Sequence, residues 1–208
     1  MPLAITTLLF LFMLWAPALV RDAGAAEKSI LVFGDSLSAA YGIAQSRGWV
    51  ALLGERLKRE RPDYSVANAS ISGDTSAGGL ARIDAALARH KPTVVIVELG
   101  ANDGLRGLPL GQMKANLGTI IEHSRKHGAR VLLVGMKLPP NYGQEYTTSF
   151  EKAFAEVGKR YKVALVPFML EGFAEKPEYF QADRIHPNEQ AQPLILERVW
   201  QALRPLLK

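Results

Sequence analysis

The sequence predicts an α/β fold of three layers, in which a parallel sheet of five strands lies between helices on both faces. Short apolar runs alternate with longer amphipathic stretches, and no repeat, low-complexity tract or linker interrupts them after residue 28. Strands joined by helical crossovers run parallel and are covered on both sides. The 208 residues are enough for one domain with a full core and too few for two.

The elements follow in order along the chain. The predicted strands are apolar runs bounded by turn residues, at 29–33, 64–68, 93–99, 130–136 and 163–167. The predicted helices lie near 49–61, 77–90, 111–127, 144–161 and 189–206. The first helix shows the period clearly, because Trp49, Leu53 and Leu57 recur on one face that can pack on a sheet.

Residues 1–25 predict a cleavable signal peptide, which leaves 26–208 as a single domain. The apolar run 3–20 precedes the small residues Ala23-Gly24-Ala25, which suit signal cleavage, and Pro17 would interrupt a spanning helix. No lysine or arginine precedes the run, so a retained membrane anchor is the alternative. We expect a periplasmic or secreted protein that has no stable membrane insertion after cleavage.

Composition excludes several classes of function. The chain has no cysteine, so disulfides, thiolate metal sites and a cysteine nucleophile are excluded. The formal net charge is +5, yet the basic residues are mixed with acidic ones and form no block interleaved with aromatic residues. We therefore expect no nucleic-acid partner.

A candidate nucleophile follows the first strand, in Gly34-Asp35-Ser36-Leu37. Gly34 permits a sharp turn, and Ser36 then lies at the carboxyl end of the strand, where open α/β sheets bind ligands. An ordinary turn whose serine caps the next helix is the alternative. A serine nucleophile also needs a base and a group that orients the base.

Among the four histidines, His186 is the candidate base. It lies in a loop before the last helix, and Asp183 stands three residues earlier, close enough to orient the imidazole ring. His90 ends a helix. His123 and His127 are four residues apart, as in some metal sites, but they also end a helix and no acidic residue completes a ligand pattern, so we expect no metal.

Acyl transfer requires donors for the oxyanion, and the loops after three strands supply candidates. These are the backbone N–H groups of Ser36 and Gly73 and the side-chain amide of Asn102. Each is also explained by an ordinary turn, since Asn102-Asp103-Gly104 is a good turn sequence. Their position on one edge of the sheet makes the set a complete hydrolytic constellation.

Four motifs in this order resemble the blocks of the SGNH (GDSL) hydrolases. They are Gly34-Asp35-Ser36-Leu37, Gly73, Gly100-x-Asn102-Asp103 and Asp183-x-x-His186-Pro187. Wider stretches resemble the bacterial periplasmic multifunctional thioesterase, arylesterase and lysophospholipase group. The resemblance implies a flavodoxin-like sheet of order 2-1-3-4-5 and no cofactor. It also implies a triad of Ser36, Asp183 and His186, with Ser36, Gly73 and Asn102 as the oxyanion hole. An α/β-hydrolase fold is disfavoured, since no Gly-x-Ser-x-Gly elbow is present.

We therefore expect a monomeric serine esterase that cleaves small carboxylic esters, acyl thioesters and lysophospholipids through an acyl-enzyme. Tentative substrate-binding residues are Leu105, Leu108, Leu138 and Tyr142. The stretch 104–111 is expected to close over the acyl group, unless its leucines only anchor the next helix. Two other functions stay open. One is a carbohydrate O-deacetylase with the same catalytic residues, and the other is a flavodoxin-like module that binds a phosphate without catalysis.

Overall fold

The computed structural model describes residues 28–208, and within them five parallel strands form one sheet. The strands are β1 (Lys28–Gly34), β2 (Tyr64–Asn68), β3 (Val94–Glu98), β4 (Arg130–Val134) and β5 (Ala164–Val166). They are ordered β2-β1-β3-β4-β5, and every neighbouring pair is parallel. The predicted fold class and strand order are confirmed. The predicted signal peptide lies outside the described residues.

Helices cover both faces of the sheet. They are α1 (Trp49–Glu60), α2 (Ser76–His90), α3 (Ala101–Leu105), α4 (Leu110–Lys126), α5 (Gln144–Tyr161) and α6 (Gln192–Leu203). Helix α1 packs against α6 in one layer, while α2, α4 and α5 pack side by side in the other. Between residues 28 and 208, no helix combines the length and the hydrophobicity that crossing a membrane requires.

Helix α3 is the one helix that the sequence did not predict. A turn was the alternative explanation of Asn102-Asp103-Gly104, but these residues form the middle of a short helix. Gly100 enters it with a positive φ of 111°, which a residue with a Cβ rarely adopts. Five residues are too few to show a helical period, and tertiary contacts stabilise such a helix instead.

The two central strands form the middle of the core. The side chains of Ile30, Leu31, Val32 and Phe33 in β1 are fully buried, and β3 is buried along its whole length. Such near-continuous β-branched runs are typical of parallel strands covered on both faces. Strand β3 nevertheless ends in a carboxyl group, Glu98, which pairs in register with Gly34 of β1.

The loops that follow the strands meet at the carboxyl edge of the sheet. The loop after β2 stays hydrogen-bonded to β1, because the N–H of Ala69 donates to Val32 O at 2.8 Å and the N–H of Ile71 donates to Gly34 O at 3.0 Å. Residues after β1 and β2 are thereby held side by side. This edge carries the polar motifs that the sequence singled out.

Candidate active site

Ser36, His186 and Asp183 form one hydrogen-bonded chain, although Ser36 and His186 are 150 residues apart in sequence. His186 Nδ1 lies 2.6 Å from Asp183 Oδ2, and His186 Nε2 lies 2.9 Å from Ser36 Oγ. These distances suit a serine hydroxyl next to a base that a carboxylate orients. The structure thus brings the three residues together in the expected order.

The loop that carries the histidine is braced on both sides. The N–H of Gln181 donates to His186 O at 2.9 Å, and the Gln181 side chain donates to Tyr41 O at 2.8 Å, across to the loop after β1. The Tyr41 ring packs on the imidazole, with 4.4 Å between ring centroids. Arg184 adopts a left-handed φ of 58°, which turns the chain between the acid and the base. These contacts fix the ring that faces Ser36.

The protonation state of Asp183 follows from its hydrogen bonds. Partial burial raises the pKa of the Asp183 carboxyl, but hydrogen bonds from the backbone N–H and ring of His186 and from the N–H of Ile185 outweigh it and lower that pKa to about 2. The carboxylate is therefore ionised near neutral pH and accepts the Nδ1 proton. This tautomer leaves the lone pair of Nε2 for the Ser36 hydroxyl.

The three expected oxyanion donors also lie at this edge. Within residues 28–208, the backbone N–H groups of Ser36 and Gly73 donate to no other protein group. Gly73 has a positive φ of 79°, which favours glycine at this position. Asn102 donates one hydrogen of its amide to Asp35 Oδ2 at 3.0 Å, and its second N–H is left for a ligand.

An arginine holds the Gly73 loop against the nucleophile strand. Arg82 pairs with Asp74 at 2.7 Å and donates to Ala69 O at 2.6 Å and to Gly34 O at 3.3 Å. Its guanidinium also lies 3.9 Å from the centroid of the Phe33 ring. Arg82 was not predicted as a site residue. A sequence signal for it does exist, because an arginine lies on the mostly apolar face of α2 and an aspartate, Asp74, precedes it by eight residues.

Buried polar contacts also fix α3, which carries Asn102. Asp103 accepts hydrogen bonds from the backbone N–H of Ser76 at 2.7 Å and from the Ser76 hydroxyl, at the start of α2. Asn116 of α4 donates to the same hydroxyl at 3.0 Å, and the Tyr146 hydroxyl donates to Gly104 O at 3.2 Å. The amide of Asn102 is thus positioned by three helices.

Two buried carboxyl groups lie directly behind the nucleophile. Glu98 Oε2 accepts from the Ser38 hydroxyl at 2.7 Å and from the backbone N–H of Asp35 at 3.3 Å, so Asp35 and Glu98 are close neighbours. This pair explains Gly34, which ends β1 without a positive φ. A Cβ at Gly34 would lie 2.6 Å from Glu98 Oε2. The chain turns directly after Gly34, as expected, and close packing against Glu98 rather than a positive φ is the reason for the glycine.

Burial dominates the electrostatics of this pair. It raises the pKa of Asp35 to about 6, against hydrogen bonds from the N–H of Leu37 and the amide of Asn102, which lower it. Burial, followed by the negative charge on Asp35, raises the pKa of Glu98 well above its ordinary value. Two adjacent buried carboxyl groups cannot both ionise readily, so the pair retains a proton near neutral pH.

An apolar cavity of about 340 Å³ opens beside the site. It lies between the segment after β3 and the segments after β4 and β5, and Ile185 of the histidine loop also lines it. The apolar residues that line it include Leu105, Met136, Leu138, Phe168 and Phe180. A cavity of this size and character suits an acyl chain.

Two of the four tentative substrate-binding residues do not line this cavity. Leu108 is exposed, and its N–H donates to Asp103 O at 2.9 Å, which closes the turn after α3. Tyr142 donates its hydroxyl to Leu105 O at 3.2 Å and so braces α3 from outside. The leucine count suggested a flap over the acyl group, but only Leu105 of this stretch faces the cavity.

The other histidines lie away from this edge. His123 Nδ1 lies 2.7 Å from Asp84 Oδ1, and His127 Nδ1 lies 2.9 Å from His123 O. The first contact joins α4 to α2, and the second lies within the end of α4. Within the part of the chain that the structure describes, no three histidine, aspartate or glutamate side chains are grouped as metal ligands would be.

Comparison with known proteins gives one family. The profile of the GDSL-like lipase/acylhydrolase family matches residues 32–193. The chain is 54% identical over 183 residues to an esterase, TesA, of Pseudomonas aeruginosa, covering 88% of this chain and 91% of that one. It is 42% identical over 198 residues to thioesterase 1/protease 1/lysophospholipase L1 of Escherichia coli K12, covering 95% and 92%.

Solved structures agree with this match. The crystal structure of TesA has a TM-score of 0.85 at 54% identity and covers 86% of this chain and 100% of that one. The esterase EstA from Pseudoalteromonas sp., in a structure inhibited by monoethylphosphonate, has a TM-score of 0.82 at 42% identity and covers 86% and 98%. The chain therefore belongs to the GDSL-like lipase/acylhydrolase family and is an ester hydrolase.

Proposed function

We propose that the chain hydrolyses esters through an acyl-enzyme on Ser36, with His186 as general base and Asp183 as the group that orients it. The observation that carries this proposal is a pair of hydrogen bonds, in which His186 Nδ1 donates to Asp183 Oδ2 at 2.6 Å and Ser36 Oγ donates to His186 Nε2 at 2.9 Å. An ionised carboxylate on one ring nitrogen makes the other nitrogen a base for the hydroxyl.

In the first half of the reaction, Ser36 Oγ attacks the acyl carbonyl carbon while His186 Nε2 takes the hydroxyl proton. The carbonyl oxygen becomes an oxyanion, which accepts hydrogen bonds from the N–H groups of Ser36 and Gly73 and from the amide of Asn102. The bond from carbon to the leaving oxygen or sulfur then breaks, and His186 donates its proton to the leaving group. Water repeats the same steps and releases the acid.

The cavity supports acyl esters with a hydrocarbon chain as substrates. An apolar lining that includes Leu105, Leu138 and Phe168 stabilises methylene groups at about 0.8 kcal/mol each. Three charged residues, Lys137, Glu175 and Arg184, also line it, but the lining is mainly apolar, which favours an acyl chain over the sugar of a carbohydrate O-deacetylase substrate. The names of the relatives, among them an arylesterase of Vibrio mimicus that is 42% identical over 181 residues, support aryl esters, thioesters and lysophospholipids as further substrates.

The proposal extends to where and how the enzyme works. Removal of residues 1–25 would deliver a monomer to the periplasm or the medium, since the sequence before Ala26 has the features of an export signal. The triad needs no second copy of the chain, because Ser36, Asp183 and His186 meet within one chain.

A comparison of two serine variants tests the proposed nucleophile. Ser36→Ala should lower kcat for a p-nitrophenyl ester by about 10⁴–10⁶-fold, because the residual rate comes from binding and the oxyanion donors alone. Ser46→Ala removes an exposed hydroxyl near the same loop and should keep its activity. Both variants should unfold at the native temperature. A Ser36→Ala protein within tenfold of the native kcat would refute the proposed nucleophile.

A further inference from the structure

Exposed hydrophobic side chains are concentrated around the active site. Within residues 28–208, six large hydrophobic residues are exposed, and one of these, Leu194, lies on α6. The other five lie on segments that follow strands at the carboxyl edge of the sheet. We call these five the rim, and they are Tyr41, Ile71, Leu108, Tyr142 and Ile185. Single exposed hydrophobic residues are common, but a group on one face indicates an interaction site.

The contacts of the rim residues place them around the opening of the site. The Tyr41 ring packs on His186, and Ile185 precedes that histidine and lines the acyl cavity. Ile71 is hydrogen-bonded to the end of β1 through its N–H, two residues before Gly73. Leu108 donates its N–H to Asp103 O and Tyr142 donates its hydroxyl to Leu105 O, so both lie at the end of α3, next to a residue that lines the cavity. A partner that touches the rim therefore covers the entrance through which an ester must pass.

Two arginines lie among these residues. Arg106 donates to Gly73 O at 2.8 Å, and Arg184 lines the acyl cavity next to Ile185. In the part of the chain that the structure describes, neither guanidinium is paired with a carboxylate. Acidic groups nearby include Asp74, which pairs with Arg82, Asp183, which is hydrogen-bonded to the imidazole, and Glu175 at the cavity.

We propose that the rim docks the enzyme on a phospholipid surface that carries anionic headgroups. The exposed side chains of Ile71, Leu108 and Ile185 would enter the region between headgroups and acyl chains, while Arg106 and Arg184 contact phosphate. The net charge of +5 favours the same surface. Docking in this way turns the entrance of the acyl cavity toward the lipid, so an acyl chain moves into the cavity without crossing water. This inference rests on the proposed ester hydrolysis at Ser36.

Vesicle flotation with the Ser36→Ala protein measures docking without turnover. Phosphatidylcholine vesicles with and without phosphatidylglycerol are the probes, and binding should be stronger with the anionic lipid. Ile71→Ser should weaken binding by roughly fivefold, because the exposed half of the isoleucine side chain would no longer be buried in the lipid. Arg106→Gln should weaken binding about fivefold on anionic vesicles only.

Matched controls lie on other parts of the surface. Leu194→Ser removes a hydrophobic side chain of similar exposure from α6, and Arg89→Gln removes an arginine from the last turn of α2, at the opposite edge of the sheet. Both should bind vesicles like the parent, and unfolding temperatures check that every variant is folded. Absence of vesicle binding, or equal losses in Ile71→Ser and Leu194→Ser, would overturn the inference and favour a protein partner for the rim. Flotation measures binding without any reaction. A failure of the proposed ester hydrolysis would therefore show in the activity assay and not in the flotation result.

Discussion

Replacement of Glu98 by glutamine should stabilise the protein increasingly as the pH rises. Glu98 is 1% exposed, and its Oε1 has no hydrogen-bond partner within residues 28–208. Asp35 lies next to it, and burial together with the negative charge of Asp35 favours the protonated form of Glu98. Glutamine also accepts from Ser38 through an oxygen and donates through N–H, which makes it the closest substitute for a protonated glutamate.

The sign follows from the raised pKa of Glu98. In the unfolded chain this carboxyl loses its proton near its ordinary value of 4.5, while burial and the charge of Asp35 keep it protonated in the folded protein. Above pH 4.5 the unfolded state therefore binds fewer protons, and the native free energy of unfolding falls by about 1.4 kcal/mol per pH unit until the folded pKa is reached. The Glu98→Gln protein has no carboxyl group at this position, so its free energy of unfolding does not fall with pH for this reason.

Urea unfolding of both proteins between pH 6 and 8 measures the difference. The raised pKa of Asp35, about 6, also lowers the free energy of unfolding as the pH rises, but mostly below pH 6. The advantage of Glu98→Gln over the native protein should grow with pH, by up to about 1.4 kcal/mol per pH unit for as long as folded Glu98 keeps its proton. Glu55→Gln, on the exposed face of α1, controls for the loss of a carboxylate. An advantage that stays constant, or shrinks as the pH rises, would refute a protonated Glu98.

Three further predictions concern the site and the export signal. Asn102→Ala should lower kcat about 10²–10³-fold with little change in KM, as removal of one oxyanion donor does, and a loss explained by unfolding alone would contradict this role. In a p-nitrophenyl ester series, kcat/KM should rise about fourfold per methylene until the cavity is full. Leu105→Asp should flatten that rise, whereas Leu108→Asp should keep it, and equal effects of the two would place the acyl chain elsewhere. Intact mass of exported protein should give a chain that begins at Ala26 or within two residues of it, while full-length protein in membranes would indicate an anchor.

The sequence predicted the sheet and the arrangement of the site because the relevant signals are local. Each strand is a short apolar run between turn residues, and Asp183 and His186 lie in the same loop. Parallel strands place their following loops on one edge, so Ser36 could be assigned to that loop without knowledge of distances. These inferences required only the order of elements along the chain, whereas the strand order 2-1-3-4-5 came from the resemblance to the SGNH hydrolases.

What the sequence could not predict depends on contacts between distant segments. Helix α3 is too short for a period, and Arg82 is understood only once the loop after β2 is seen to lie beside β1. Glu98 was assigned to the end of a strand, and its contact with Asp35 requires the register of β1 and β3. Leu108 was assigned to the substrate because the stretch 104–111 is rich in leucine, but the direction of its side chain depends on the turn after α3.

The role of Ser36 is the central claim, and labelling by an organophosphonate tests it most directly. The reagent should add one phosphonyl group to the native protein, and peptide mapping should place it on Ser36, because His186 makes only this hydroxyl nucleophilic. Ser36→Ala should remain unmodified under the same conditions. A native protein that gains no mass while it hydrolyses esters, or an adduct on another residue that persists in Ser36→Ala, would contradict the account.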